Sequence, residues 1–427
     1  MTARPATTGE VLRRLAPSVL LPALVYEIGN GAIAPILALV ALDEGASTSM
    51  AGLMLSMLGI GRIIGDIPSA WLADRLGDRR AMILASATTA LALVVCWAVP
   101  TIWALALGLL VIGACTSTFY LARQTYVSEV VAIHLRARSL STLAGAHRVG
   151  LFLGPFLAAG AIQLWGTRAA FGVALAATVA TAALLLAVPD AERATDRPPA
   201  VRGGTSARAS FARHRELFLT LGMAVFAVGA VRAARQTVLP LWAHHIGLTA
   251  TATSLVFGVA NAVDMSLFYP SGHVMDRAGR LWVAIPSMVL LGVGMMTLPL
   301  SHGIVTISVA AIVMSIGNGI GSGIMMTLGA DVAPADGRTT FLSIWRLVGD
   351  AGNAVGPLVP AAGAAVATLA LGISVTGLIG LGAAGGLGRW VPRYSPYATA
   401  AMAREHHRRL AGADDLAETV PSAEARP

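Results

Sequence analysis

The sequence predicts an all-α integral membrane protein, with twelve transmembrane helices arranged as two pseudo-symmetric six-helix bundles. Three observations carry this prediction. First, 56% of the 427 residues are hydrophobic and only 12% are charged, with a mean hydropathy of +0.72. A soluble chain of this length could not hide so much apolar surface, whereas lipid does not penalise it. Second, twelve stretches reach the roughly 20 apolar residues that a helix needs to cross a bilayer. Third, a charged turn is written twice. Residues 68–80 read PSAWLADRLGDRR and residues 270–282 read PSGHVMDRAGRLW, so Pro, Ser, Asp, Arg and Gly recur at a constant shift of 202.

The first six spans are placed at 16–42, 48–73, 81–99, 102–131, 139–165 and 169–188. The run behind Arg13 and Arg14 is too long for a cleaved signal and is followed by more spans, so it reads as an uncleaved first helix. Residues 189–215 are rich in Pro, Gly, Ser and Arg and read as a flexible linker. Six further spans follow at 216–243, 250–273, 281–301, 303–330, 341–367 and 369–390. The expected domains are therefore 1–188, a linker 189–215, a second bundle 216–391, and a polar, disordered tail 392–427. The shift of 202 also places Glu129 on Asp331, Arg136 on Arg338, and Gly154-Pro155 on Gly356-Pro357. Two parallel copies of a six-helix unit suit a transporter with its site between them.

All 30 basic residues are Arg. The loops on the side of both termini hold most of them, and the opposite loops hold only Arg168. The positive-inside rule then puts the termini and linker in the cytoplasm of a multi-pass plasma-membrane protein. The net charge of +8 is scattered and suggests no nucleic-acid partner. Cys96 and Cys115 lie in apolar runs and read as packing residues. Walker-type loops, His/Cys metal clusters and nucleophile motifs are absent from the sequence, so neither an enzyme nor a metal site is expected. His244-His245 falls in a loop and reads as incidental.

Together the spans and the doubled turn resemble the major facilitator superfamily. Its loop signature, approximately G-x-L-A-D-R-x-G-R-R, corresponds to Ala70 through Arg80. Ala70 stands where the family has Gly, and Asp78 where it has a basic residue, while the second copy, Gly272 to Arg280, keeps both. Span 5 carries Gly150, Gly154 and Pro155, then Ala158 and Ala159. This is similar to the G-x-x-x-G-P-x-x-G-G motif of proton-coupled drug exporters, although such spacing also serves close helix packing. The family's arginine in the middle of span 4 has no counterpart there, since Arg123 lies nearer the cytoplasmic end. The resemblance implies alternating access driven by a proton gradient, with no bound cofactor, a small-molecule substrate, protons and membrane lipid as partners, and a monomer. Efflux of hydrophobic or amphiphilic molecules is the first expectation. A nutrient importer or facilitator, or a sensor without flux, are the alternatives.

Gly77 and Gly279 give the repeated turn its conformational freedom. The resemblance implies that Asp74, Arg75, Gly77 and Arg79, with Asp276, Arg277, Gly279 and Arg280, form a conformational latch. Charges within spans need partners, because an ionised group in hydrocarbon is expensive. At the shift of 202, Arg62 falls on Asp264 and Arg148 on Asp350, keeping the register and reversing the sign. In the family, span 2 faces span 11 and span 5 faces span 8. Arg62 would then meet Asp350 and Arg148 would meet Asp264, with Asp66 and Arg346 as a further rung, zipping the cytoplasmic halves together in the outward-open state; the alternative is pairing within each helix at i,i+4. Glu27, near the middle of span 1, reads as an isolated carboxyl that loads and releases a proton or offers a counter-charge to a cationic substrate, or as one paired with Arg232 or Arg235; those two arginines either neutralise Glu27 or attract an anionic substrate group. Tyr26, Asn30, Phe119, Tyr126, Gln236, Trp242 and Asn261 are the candidate cavity contacts. Met295-Met296 and Met325-Met326 suggest an adaptable apolar surface for a lipophilic substrate.

Overall fold

A computed structural model describes residues 15–131, 133–187, 207–334, 336–406 and 408. Within these the chain is helical, with only turns and short connections between helices. Eleven helical segments are long and apolar enough to cross a membrane. The twelfth expected span, span 11, is made of Arg338–Val355 and Leu358–Val366, interrupted at Gly356-Pro357. Its first part carries Arg338, Arg346 and Asp350, which lowers its hydropathy below that of the others. Span 1 is likewise broken, into Leu21–Ile33 and Leu37–Asp43, and span 10 into Ile304–Ile320 and Ile324–Val332.

The repeat is visible in the backbone. Ser47 and Thr249, which are 202 apart, cap spans 2 and 8 by accepting from the amides of Met50 and Ala252 at 3.2 Å. Gly77 and Gly279 end those spans with φ of 81° and 104°, a region open to glycine and strained for other residues. The glycines of span 5 and span 11 use the same contacts. A Cβ on Gly150 would lie 2.5 Å from the Leu24 carbonyl oxygen, and one on Gly352 would lie 2.2 Å from that of Phe226. For Gly154 and Gly356 the corresponding oxygens belong to Ile28, at 2.5 Å, and Ala230, at 2.2 Å. Each neighbour is again shifted by 202, so span 5 seats on span 1 as span 11 seats on span 7. The Gly-x-x-x-Gly spacing therefore packs two backbones together in both halves.

Between the halves, span 2 packs on span 11 and span 5 on span 8. The close backbone contacts of glycine lie in the part of each helix remote from the linker, here called the far half. Gly52 abuts Ala361, Gly59 abuts Ala354, and Gly258 abuts the Phe156 ring. Asn261 donates across the seam to the Leu151 carbonyl at 3.0 Å. Among the far-side loops, Arg168 is ion-paired to Glu44 and donates to the Trp97 carbonyl at 3.0 Å.

Two expectations about connecting segments are corrected. Residues 207–213 of the linker are helical, while 188–206 lie outside the described residues. The tail is ordered at least to residue 406, with a helix through 400–406. It is held because the amides of Arg280 and Leu281, left without helical acceptors at the start of span 9, donate to the carbonyls of Tyr397 and Ala398 at 3.1 Å. The tail's last residues, 409–427, lie outside the described residues.

Replacing Gly154 or Gly356 by Ala puts a methyl group against a backbone oxygen that cannot step aside, so a loss of about 1–3 kcal/mol is expected. Gly160 has open space around its Cα and should accept Ala without loss. Melting curves of the three purified variants decide the point; equal melting temperatures would remove the packing role from the motif.

Candidate functional site

The halves enclose a cavity of about 460 Å3 between spans 1, 2, 4, 5, 7, 10 and 11. On its N-terminal wall Glu27 is fully buried. One carboxylate oxygen, Oε1, lies 3.1 Å from Arg123 Nη1 and 2.8 Å from His147 Nδ1. The other, Oε2, accepts from Asn30 Nδ2 at 3.1 Å and from the Tyr120 hydroxyl at 3.0 Å. The Arg123 guanidinium lies 4.2 Å from the centre of the Tyr120 ring, and Arg62 lies 5.8 Å from the same ring. A carboxylate removed from water is tolerable only when so neutralised and bonded. The backbone makes room for this cluster at Gly150, where any Cβ would come within 2.5 Å of Glu27 Cβ.

Glu27 is therefore not isolated, and its partner is not Arg232 or Arg235. Position counting along span 4 put Arg123 too near the membrane edge, but its long side chain reaches inward to Glu27. His147 and Tyr120 were missed. The signal for His147 was present, one helical turn before Gly150 on the face that meets span 1.

The C-terminal wall is built on Arg232. Its Nε donates to Asn318 Oδ1 at 2.8 Å, and its terminal nitrogens donate to the carbonyls of Asn318 and Gly321, both at 3.2 Å. Asn318 in turn donates to Asp264 Oδ1 at 3.1 Å. Arg235 turns away from the cavity and donates to Ser315 Oγ at 2.8 Å.

The expected cross-half ion pairs are not made. Arg346 pairs with Asp350 inside span 11 at 3.5 Å, and Asp66 accepts a hydrogen bond from Ser117 of span 4. Arg62 lies instead beside the Tyr120 ring. Arg148 lies 3.7 Å from the centre of the Phe268 ring of span 8. The physical reason is geometric. The halves are in contact through their far halves, and Arg62, midway along span 2, lines the cavity and is exposed to it. The cavity thus opens on the linker side, where the expected zip would have to close.

Of the seven candidate contacts, Asn30 and Gln236 line the cavity. Tyr26 and Phe119 are buried and stack on each other at 4.1 Å, with the Tyr26 hydroxyl 3.1 Å from Thr116 Oγ1. Tyr126 belongs to a separate core with Leu15 and Val19. Trp242 donates to Ser301 Oγ at 2.9 Å, and Asn261 is used at the seam. The methionine pairs do not line the cavity either: Met295 is buried and Met326 is 74% exposed.

The two copies of the charged turn behave differently. Asp74 and Arg75 are exposed, with Arg75 4.5 Å from the centre of the Trp71 ring. Arg79 donates to the Leu185 carbonyl at the end of span 6, at 2.7 Å. In the second copy, Arg280 holds Asp331 of span 10 at 3.0 and 3.3 Å and also reaches Asp276 at 3.4 Å, while Arg277 is exposed.

The family model described as "Major Facilitator Superfamily" matches residues 19–357. Multidrug resistance protein MdtG of Salmonella arizonae is 27% identical over 164 residues, 38% of this chain and 41% of that protein. The chain thus matches less than half the length of that relative. The crystal structure of a POT family transporter in complex with a thioalcohol-conjugated peptide superposes with a TM-score of 0.72 at 12% identity, covering 90% of this chain and 96% of that one. The crystal structure of a D-xylose-proton symporter gives 0.67 at 17% identity, covering 91% and 98%.

Glu27→Gln leaves Arg123 buried without its counter-charge, a loss of about 3–5 kcal/mol. The double variant Glu27→Gln with Arg123→Met removes both charges and should regain part of the melting temperature. Strictly additive losses in the double variant would show that the pair is not coupled.

Proposed function

The chain belongs to the major facilitator superfamily, and we propose that it exports hydrophobic or amphiphilic small molecules in exchange for protons. The single observation that supports this reading most is the Glu27 cluster. It places an acid, an imidazole and a guanidinium in mutual contact on the wall of a cavity closed on one side by the packed halves. A carboxylate–imidazole pair at the edge of such a cavity is suited to take up and release a proton as the wall is wetted and dried. The likeness to MdtG favours a multidrug exporter, while the likeness to the sugar symporter speaks to the fold alone.

In this reading the linker side is cytoplasmic, the membrane is the plasma membrane, and the cavity faces inward. Moving to the outward-facing state brings spans 2 and 11, and spans 5 and 8, together on the linker side. Arg62 then approaches Asp350, and Arg148 approaches Asp264. The repeated turn, with Asp74, Arg75 and Arg79 on one half and Asp276, Arg277 and Arg280 on the other, lies at that closing edge.

Inverted vesicles with an acidified lumen test the direction of transport. Wild type should accumulate fluorescent amphiphiles, drawn from a panel of positive, neutral and negative charge, and Glu27→Gln and His147→Ala should fall to background. Accumulation only in right-side-out vesicles would instead make it an importer, and binding without flux a sensor. For the closing edge, Arg62→Asp and Asp350→Arg should each abolish transport and the exchanged pair should restore part of it. Failure of the exchanged pair alongside inactive single variants would remove the cross-half contact from the cycle.

A further inference from the structure

Two cations line the cavity from opposite halves. Arg62 is exposed into it and Arg232 lines it from the opposite half. The lining carboxylate, Glu27, is sealed, and both its oxygens are engaged by Arg123, His147, Asn30 and Tyr120. Behind the Arg232 wall the imbalance continues. Arg235 bonds Ser315 Oγ and Arg148 the Ala144 carbonyl, while the carboxylate of Asp264 accepts from Asn318. The Nε atoms of Arg148 and Arg235 are buried without a hydrogen-bond partner. Arg232 bonds its neighbours through Nε and one proton on each terminal nitrogen. That leaves two of the five N–H donors of a guanidinium for something else. Buried cations in excess of their counter-charges are expensive in a low dielectric, and a guest anion relieves that cost.

The other end of the cavity is of opposite character. Ile33, Leu37, Leu55 and Leu58 line it toward the far side, where the halves are packed together. On both span 1 and span 2 the lining thus passes from apolar at the closed end to charged or polar at mid-depth. The volume of about 460 Å3 falls in the range of about 300–1,000 Å3 common for drug-sized ligands.

Given the transporter reading above, on which this rests, we propose that the substrate is an amphiphilic organic acid. Its anionic group, a carboxylate or phosphonate, is held between Arg232 and Arg62, and its apolar body lies in the leucine-lined closed end. A fork of two N–H donors suits either oxyanion, and a cationic amphiphile of the same shape would meet Arg62 and Arg232 head-on.

Three radiolabelled probes with one ring system separate charge from shape: naphthaleneacetate, its neutral amide, and naphthylmethyl-trimethylammonium. Binding is measured to the full-length protein in lipid nanodiscs. The acid should bind at least tenfold more tightly than the cation, and Arg62→Gln should weaken the acid at least tenfold while leaving the cation unchanged or stronger. Arg232→Lys should retain part of the acid binding that Arg232→Gln loses. Because Arg232 also supports span 10, Arg62→Gln is the deciding variant: Arg62 lies 5.8 Å from the centre of the Tyr120 ring, and the pair that Asp350 makes with Arg346 does not depend on it. Equal or tighter binding of the cation overturns the assignment. So does acid binding that ignores Arg62→Gln, or no acid binding at millimolar concentration by protein that melts cooperatively. Acid bound by the Arg62-dependent site but not moved across proteoliposome membranes would overturn the transport reading and leave the anion site standing.

Discussion

A carboxylate sealed from water must be neutralised where it stands, and Glu27 imposes that requirement on half the molecule. The groups that surround it, three donors and the His147 ring, come from spans 1, 4 and 5. Span 5 can come close enough only because Gly150 and Gly154 carry no side chain. The same requirement organises the second half around another carboxylate, Asp264, with Asn318 and Arg232 drawn from spans 10 and 7. The two solutions occupy related positions. At the shift of 202, Asn30 corresponds to Arg232 and Thr116 to Asn318, so one scaffold carries a carboxylate-centred wall in one copy and a guanidinium-centred wall in the other.

Much of this was legible in the sequence. Apolar runs mark spans, the shift of 202 marks the repeat, and the facing of span 2 with span 11 and span 5 with span 8 follows once the family is recognised. What could not be read was set by side-chain reach and by helix breaks. Arg123 was assigned to the membrane edge from its place in span 4, yet an arginine carries its charge several ångströms from its own Cα. His147 offered no periodic signal of its own, and only its spacing from Gly150 connects it to Glu27. Aromatic residues were the poorest guide. Tyr26, Phe119 and Trp242 are large and semi-polar, as cavity walls often are, but each satisfies itself within the packed core. The tail was misjudged because its composition is polar, while what orders it is a pair of backbone amides at the start of span 9.

The two kinds of contact divide the labour of a rocking mechanism. Within a half, glycine against carbonyl brings helices to backbone contact, leaving little room for sliding. Between halves, the seam at the far side joins Gly52, Gly59 and Gly258 to Ala361, Ala354 and Phe156, with one hydrogen bond from Asn261. A seam of small apolar surfaces can part without stranding charges in lipid, which a seam of ion pairs could not. The charged residues gather instead at mid-depth and toward the linker, where opening exposes them to water.

If the proposed closure brings Arg62 to Asp350 and Arg148 to Asp264, the sign reversal between the copies also sets which halves suit each other. Span 11 is the counterpart of span 5, and span 8 of span 2. Two N-terminal bundles docked in the native way would set Arg62 toward Arg148, and two C-terminal bundles would set Asp264 toward Asp350. Like charges at a shared depth in the bilayer would discourage both. The two copies would then be a matched left and right hand, each bundle meeting opposite charges on its own chain where a second identical bundle would present like ones.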